Sequence, residues 1–222
     1  MRINANFSEP VAVRVKALEW VASPMPGVER RMLDRVGAEV ARATSIVRYA
    51  PGSHFAEHTH GGGEEFIVLE GVFQDEHGDY PAGSYVRNPP GTRHIPASEQ
   101  GCTIFVKLWQ FDPRDDVQMT RDLWQIGRDL GQTESGFVQA DLFQNDNEKV
   151  SLEKWSAGEQ RQWTADGGHE ILVLEGSVEW QGDSYSKSDW LRLPYGFAID
   201  LVAGDDGALL WTKCHHLRKI QL

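Results

Sequence analysis

Two histidines with one residue between them lie in the stretch with the clearest chemistry, Gly52-Ser-His-Phe-Ala-Glu-His58-Thr-His60-Gly-Gly-Gly-Glu64-Glu-Phe-Ile-Val-Leu-Glu-Gly71. Side chains alternate between the faces of a β-strand, so His58 and His60 present both imidazoles on one side. The three glycines that follow can take positive φ values and let the chain double back at once. Glu64 then begins the neighbouring strand, and its carboxylate converges on the same point. Imidazole nitrogens with a carboxylate form a mixed donor set that suits a borderline divalent metal. The fourth ligand is expected from Gly83-Ser-Tyr-Val-Arg-Asn-Pro89-Pro-Gly91-Thr-Arg-His94, where two prolines and a glycine fix a turn just ahead of His94. The predicted metal site is therefore His58, His60, Glu64 and His94. A lone His-x-His pair would be weak evidence, because hydrogen bonds alone satisfy two histidines on a strand face.

Short strands must position these ligands. Val11, Val13 and Val15 alternate before a break at Pro24-Met-Pro26-Gly27, which predicts a strand at the edge of a first lobe. Alternation resumes from Glu39 to Tyr49 through Val40, Ile46 and Val47, and Pro51-Gly52 turns the chain into the histidine strand. Short strands between Gly, Pro and Asp turns continue to Trp109. Such a density of short strands, without helical periodicity, indicates an all-β sandwich or barrel. Phe66 and Val68 share the parity of Glu64 and are expected to make the pocket beside the metal apolar; Glu65 faces the other way, to be solvated or salt-bridged.

Residues 112–135 break the pattern with Asp112-Pro113, a run of charges and irregularly spaced apolar residues, and read as a linker. Beyond it the first half returns in outline. His169-Glu-Ile-Leu-Val-Leu-Glu-Gly176 echoes Glu64 to Gly71, Pro194-Tyr-Gly196 answers Pro89-Pro-Gly91, and Gly207 to Lys213 answers Gly101 to Lys107. Self-similarity in a fixed order marks a duplicated fold. The expected division is a first lobe at 1–111, a linker at 112–135 and a second lobe at 136–222. In this alignment Thr164 stands for His58, Asp166 for His60, His169 for Glu64 and Ile199 for His94, or Asp200 if a one-residue slip falls earlier, so the second lobe has a degenerate site and is expected to be free of metal. His54, His77, His215 and His216 are read as surface or hydrogen-bonding residues, with His54 the one that shares strand parity with the ligands.

Both motifs fit the paired signatures of the cupin superfamily, G-x5-H-x-H-x3-E-x6-G and G-x5-P-x-G-x2-H-x3-N, with Ser98 in place of the final Asn. The resemblance implies two tandem cupin barrels of the double-stranded β-helix, or jelly-roll, type: a bicupin. At finer grain, His60-Gly-Gly-Gly-Glu-Glu-Phe-Ile-Val-Leu-Glu-Gly71, Asp75-Glu-His-Gly-Asp-Tyr-Pro-Ala-Gly-Ser-Tyr85 and Pro89-Pro-Gly-Thr-Arg-His94 resemble the ChrR-like cupins, which are similar to the sensory domain of the anti-sigma factor ChrR. That resemblance implies zinc, a sigma factor as partner and a part in transcription regulation; the ligand types do not exclude iron, manganese, nickel or copper. Residues 1–50 contain no Cys, no His and no long helical pattern, so the sigma-binding domain of ChrR has no counterpart there. A regulatory or sensory cupin that responds to a small-molecule ligand or signal is the expectation. A metal-dependent dioxygenase acting on a small organic substrate is the alternative, and a binding or storage bicupin without turnover is a third reading.

Composition narrows the partners. A chain of 222 residues with 40% hydrophobic and 25% charged residues can bury a core. Its net charge of −11, without a Lys/Arg stripe, opposes nucleic-acid binding. No apolar run is long enough to span a bilayer, and the polar amino terminus does not read as a signal peptide, so a cytoplasmic protein without membrane contact is expected. Cys102 and Cys214 occupy non-equivalent positions of the repeat and are expected to be free thiols. The two lobes can close the assembly within one chain or a second copy can join them as a homodimer; the sequence leaves both open.

Overall fold

The computed structural model describes residues 1–38, 40–131 and 136–220. Its chain-order elements begin with β1 (Arg2–Ile3), β2 (Val11–Val13), a 3-10 turn at Val15–Ala17, β3 (Val21–Ala22), β4 (Val28–Gly37), β5 (Ala41–Tyr49), β6 (Ser53–His54) and β7 (His58–Thr59). β8 (Glu64–Asp75), β9 (Gly78–Pro81), β10 (Ser84–Asn88), β11 (Arg93–His94), β12 (Ala97–Ser98), β13 (Cys102–Leu108) and β14 (Met119–Asp122) follow. After α1 (Leu123–Asp129) come β15 (Phe137–Gln144), β16 (Lys149–Trp155), β17 (Gln160–Thr164), β18 (His169–Trp180), β19 (Asp183–Ser186), β20 (Trp190–Leu193) and β21 (Ala198–Cys214). The fold is all-β with one short helix, in two compact units.

In the first unit the strands run β1-β4-β5-β13-β8-β10-β14, and in the second β15-β16-β21-β18-β20-β2. From β4 and from β15 onwards the two orders correspond element by element. Each unit closes over its own core: Phe66, Val68, Phe73, Val86, Ile104 and Val106 in the first, and a cluster including Trp155, Ile171, Val173, Leu191, Leu201 and Leu210 in the second. Gly71 and Gly176, both at positive φ, follow by two residues the same register shift in β8 and β18, at Leu69 and at Leu174. A Cβ at either would collide with a carbonyl oxygen of the adjacent strand, of Gly101 or of Gly207.

Two expectations about the connecting segments are corrected. Val11–Val13 is not an edge strand of the first lobe: it pairs with Arg192, Leu191 and Trp190 of β20, and the Val15 amide donates to the Asp189 carboxylate at 2.9 Å. Alternating apolar residues specify a half-buried strand but carry no address for the sheet edge that receives it. Within the expected linker, Met119–Asp122 pairs with β10 and extends the first sheet, while α1 packs on β16 of the second unit. Glu39 and residues 132–135, expected as the start of a strand and the end of the linker, lie outside the described residues.

These two segments play matching parts. The Arg87 guanidinium lies 4.4 Å from the Phe111 ring and is paired with Asp115 at 2.6 Å; the Arg192 guanidinium lies 4.2 Å from the Phe7 ring. Glu65, expected to be solvated or salt-bridged, is fully buried and paired: it accepts from Tyr85 at 2.8 Å and lies 3.5 Å from Arg87.

Candidate metal centre

The backbone brings the four predicted residues to one point. His58 pairs directly with His94 across β7 and β11. The His60 amide donates to the Thr92 carbonyl at 2.8 Å, and its own carbonyl accepts from Gly91 at 2.9 Å, so the proline turn grips the histidine strand. Glu64 opens β8 between Asn88 of β10 and Leu108 of β13. Of the three glycines in between, only Gly63 is at positive φ; Gly61 and Gly62 serve a different need, because a Cβ on either would run into the Trp109 indole.

Ligand atoms of His58, His60, Glu64 and His94 all lie within 4.8 Å of one another. Glu64 Oε1 is 3.5 Å from His60 Nε2 and 3.6 Å from His94 Nε2, and the three imidazole centroids are 4.6 to 5.1 Å apart. Metal bonds of about 2.1 Å place neighbouring donor atoms roughly 3.0–3.4 Å apart, so the cluster fits a single transition metal with slight contraction. The tautomers agree. Thr92 Oγ1 donates its proton to the Pro89 carbonyl (2.7 Å) and accepts from His60 Nδ1 (2.9 Å), which leaves His60 Nε2 as a lone pair. That atom is buried and has no hydrogen-bond partner among the described residues. His94 Nδ1 faces Asp75 at 3.4 Å, so its Nε2 also turns a lone pair toward Glu64.

Electrostatics favour the ligating forms of two histidines. Burial, reinforced by His94, lowers His58; burial with both neighbouring imidazoles lowers His60 to about 3. Burial alone would lower His94 too, but Asp75 and Glu64 outweigh it and raise it. Glu64 is raised, chiefly by burial against the opposing pull of His94 and Asn88.

A cavity of about 260 Å³ adjoins these residues. Its walls include Val28, Tyr49, Phe73, Ile104, Leu108 and Trp109. The expectation that Phe66 and Val68 line it is corrected: both face inward as their parity requires, but they are fully buried in the core layer. Parity fixes the face of a strand, not the depth along it. Sequence reasoning also missed Asp75, Thr92 and Trp109. Trp109 is the most telling, a non-glycine residue at φ 59 whose amide donates to the Gly63 carbonyl at 3.1 Å, so the chain after β13 bends back over the glycine loop. Its signal was the Gly-Gly pair itself, since consecutive glycines mark close approach as well as turning.

Other histidines fall outside the cluster. His54 pairs with Glu99 at 2.9 Å on the surface, His77 is beside Glu76, and His216 meets buried Glu170 at 2.9 Å. Ser98, at the Asn position of the second motif, donates to the Val72 carbonyl at 2.7 Å. Both cysteines are free thiols.

In the second unit the alignment needs correction by one residue. The Ala165 amide donates to Phe197 O and its carbonyl accepts from Gly168 and Gly196, the same bonds that His60 makes with Thr92, Gly63 and Gly91. Trp163 pairs with Ile199 as His58 pairs with His94. The equivalents of His58, His60, Glu64 and His94 are therefore Trp163, Ala165, His169 and Ile199. Thr164 and Asp166 are exposed, and Asp166 pairs with Arg218. Counting residues back from Glu64 misplaced them, because hydrophobic replacements leave no residue type to anchor the count.

A family model, the ChrR cupin-like domain, matches residues 8–112. No curated protein matches the sequence. Among solved structures, the chain is similar to a candidate dioxygenase from Nostoc punctiforme PCC 73102, at 16% identity and a TM-score of 0.71, over 96% of this chain and 85% of that one. It is also similar to the bacterial pirin YhhW of Escherichia coli in complex with nickel(II) (18%, TM-score 0.63, 93% and 99%). A third is the Bacillus subtilis oxalate decarboxylase with Mn(II) centres (14%, TM-score 0.60, 94% and 78%). Sequence motif, strand order and site geometry agree with these findings: residues 8–112 match the ChrR cupin-like domain, and the chain as a whole has the all-β, two-barrel fold of these solved structures.

Proposed function

We propose that the first lobe is a metal-dependent enzyme centre of the oxygenase class, holding one transition metal on His58, His60, Glu64 and His94 and acting on a small organic compound in the adjoining cavity. The observation that carries this reading is the cavity: His58, His60, Glu64 and His94 are themselves part of its wall. A site that only stores an ion has no need of an apolar chamber against it. A metal bound there supplies Lewis-acid chemistry and, as iron, redox chemistry toward oxygen.

The protein's own residues prepare that chemistry. Thr92 and Asp75 turn His60 and His94 so that their Nε2 atoms point at the common centre. Tyr49 keeps its proton, because burial and then the nearby Glu64 raise it well above the ordinary tyrosine range, so its hydroxyl stays neutral. Apolar walls exclude water from whatever binds. The neighbours of like fold, with a candidate dioxygenase and a manganese decarboxylase among them, are in keeping with catalysis at such a centre.

The sensory reading is favoured by the family match over residues 8–112. On that reading the same centre, loaded with zinc, binds a signal or alters a partner such as a sigma factor without turnover. One experiment separates the two. Protein purified without added metal is assayed for metal content, then the iron and zinc forms are screened for oxygen uptake against diketones, flavonols and thiols. The enzyme reading expects iron and sustained, metal-dependent uptake with at least one class; zinc with uniform silence in both forms would refute it in favour of the sensor.

A further inference from the structure

We propose that the cavity selects small organic carboxylates and that Arg30 is the residue that anchors their negative end; this rests on the reading that the cavity takes an organic ligand beside the metal. Register places Arg30 there. In β4, Arg30 pairs with Val47 and Val28 with Tyr49, while Val47 pairs in turn with Ile104 of β13. All five share one sheet face, and all five line the cavity. The opposite face of the same strands carries Arg31 and Arg48, whose guanidinium groups stack on Trp20 at 4.4 and 4.3 Å. Alternation thus sends one arginine inward and its neighbour outward.

What Arg30 lacks is an anion. Its guanidinium donates to Ser23 Oγ at 3.2 Å, and among the described residues no carboxylate pairs with it. Other arginines of this lobe meet carboxylates, Arg48 with Glu29, Arg42 with Asp34, and Arg87 with Glu65 and Asp115, while Arg31 on the opposite face is met by the Trp20 ring. Arg30 is half-buried, so its guanidinium has already lost part of its hydration and can meet an anion in the cavity at less cost than a fully solvated cation would. The planar fork of the guanidinium fits a carboxylate through two parallel hydrogen bonds. Val28, Phe73 and Ile104 then suit a short hydrocarbon or aromatic body.

The second lobe supplies an internal control. Gln139 pairs with Glu153 where Arg30 pairs with Val47, so the lobe that lost the histidine ligands carries a neutral amide at this position. The cation on this face of the second lobe is Arg161, 3.4 Å from the Phe137 ring, and it is already neutralised by Glu153 at 3.2 Å, whereas Val47 at the position of Glu153 leaves Arg30 without such a partner among the described residues.

The test uses the full chain loaded with redox-silent zinc and compares benzoate with benzamide by calorimetry, alongside Arg30→Gln and Arg30→Lys, each checked for zinc content and thermal melting. Wild type is expected to prefer benzoate by about tenfold or more. Arg30→Gln should remove that preference at unchanged zinc content, and Arg30→Lys should restore part of it. Equal affinity for the two compounds in wild type would overturn the proposal. So would a preference that survives Arg30→Gln, which would assign it to the metal, or tighter binding of inorganic phosphate than of benzoate. Failure of both benzoate and benzamide to bind would overturn this proposal together with the reading of the cavity as an organic-ligand site, whereas oxygen uptake with neutral substrates alone would leave the enzyme reading standing and remove only the anion anchor.

Discussion

In the first lobe one cluster of backbone positions carries His58, His60, His94, Thr92, Asp75 and Asn88; in the second the matching positions carry Trp163, Ala165, Ile199, Phe197, Trp180 and Leu193. Three of the four predicted ligand positions, and the positions of the residues that orient them, carry hydrophobes in the second lobe; the fourth keeps a polar residue, His169. The physical reason is that a half-removed polar network is worse than either extreme, since each remaining imidazole or carboxylate would be buried without its partner. Trp180, Phe197 and Trp163 pack against the second core, with Trp180 and Phe197 ring centroids 6.3 Å apart. One barrel interior therefore gathers imidazoles and carboxylates, and the other is filled by hydrophobic side chains.

The largest effect should come from truncating one equivalent position in each lobe. His94→Ala removes a ligand, and metal affinity should fall by more than the roughly 100-fold that loss of an outer orienting residue costs. Metal per chain, measured after gel filtration, should drop from about one toward zero while the melting temperature of the metal-free protein changes little. Ile199→Ala leaves a void in a packed core and should cost about 2–5 kcal/mol in urea unfolding with metal content unchanged. Retention of metal by His94→Ala would break the comparison at its root.

Next in size is Gly62→Ala. A Cβ there would lie 2.8 Å from the Trp109 Cα and overlap its indole, so the loop between His60 and Glu64 must shift. Overpacking of this kind costs about 1–3 kcal/mol and should weaken metal binding too, because the same loop spaces two ligands. In the second lobe Asp166 occupies the position of Gly61, facing His215 where the first lobe has Trp109. Asp166→Gly should leave stability within about 0.5 kcal/mol. An unperturbed Gly62→Ala protein by unfolding and metal titration would show that Trp109 does not need the glycines.

Much of this was legible in the sequence, and the rest was hidden for identifiable reasons. His58, His60, Glu64 and His94 could be read because ligand chemistry restricts residue type and strand parity restricts spacing. The duplication could be read because glycines such as Gly71 and Gly176 are demanded by close backbone approach in both copies. Asp75 could not, since an aspartate at the end of a strand before a turn is common for local reasons. The placement of Val11–Val13 on β20 could not, because pairing at a sheet edge is decided by long-range docking. Arg30 was passed over as one of three charged residues in a row, Glu29-Arg30-Arg31, whose alternation is plain only once the strand is placed.

Asp75→Asn sharpens the comparison at the level of support rather than ligation. The amide retains size but no longer holds His94 Nδ1–H with a charge, so metal should bind about 10–100-fold more weakly without being abolished. Competition with a chelator measures this, and an affinity equal to wild type would make Asp75 a bystander. Its counterpart Trp180 has no polar duty: Trp180→Phe should lower stability modestly and leave affinity untouched.

The smallest predicted effect isolates the one polar residue that the second lobe kept at a ligand position. His169 is buried beside Trp163, ring centroids 5.3 Å apart. Burial, with help from Arg161 and His215 and against the pull of Glu153, lowers it from 6.5 to about 4. Above pH 6.5 the folded and unfolded chains both carry it neutral, and it imposes no penalty. As pH falls through 6.5 the unfolded chain takes up a proton that the folded lobe refuses, and the penalty grows until the folded value near 4 is reached. Between pH 7 and 5 the loss is roughly 2 kcal/mol. His169→Leu should therefore flatten the pH dependence of urea unfolding of the metal-free protein by about that amount over this range, the shared contributions of His58 and His60 cancelling between variant and wild type. Identical pH slopes in the two proteins would mean that His169 is not held neutral, and that the second lobe is less completely apolar than its replacement residues indicate.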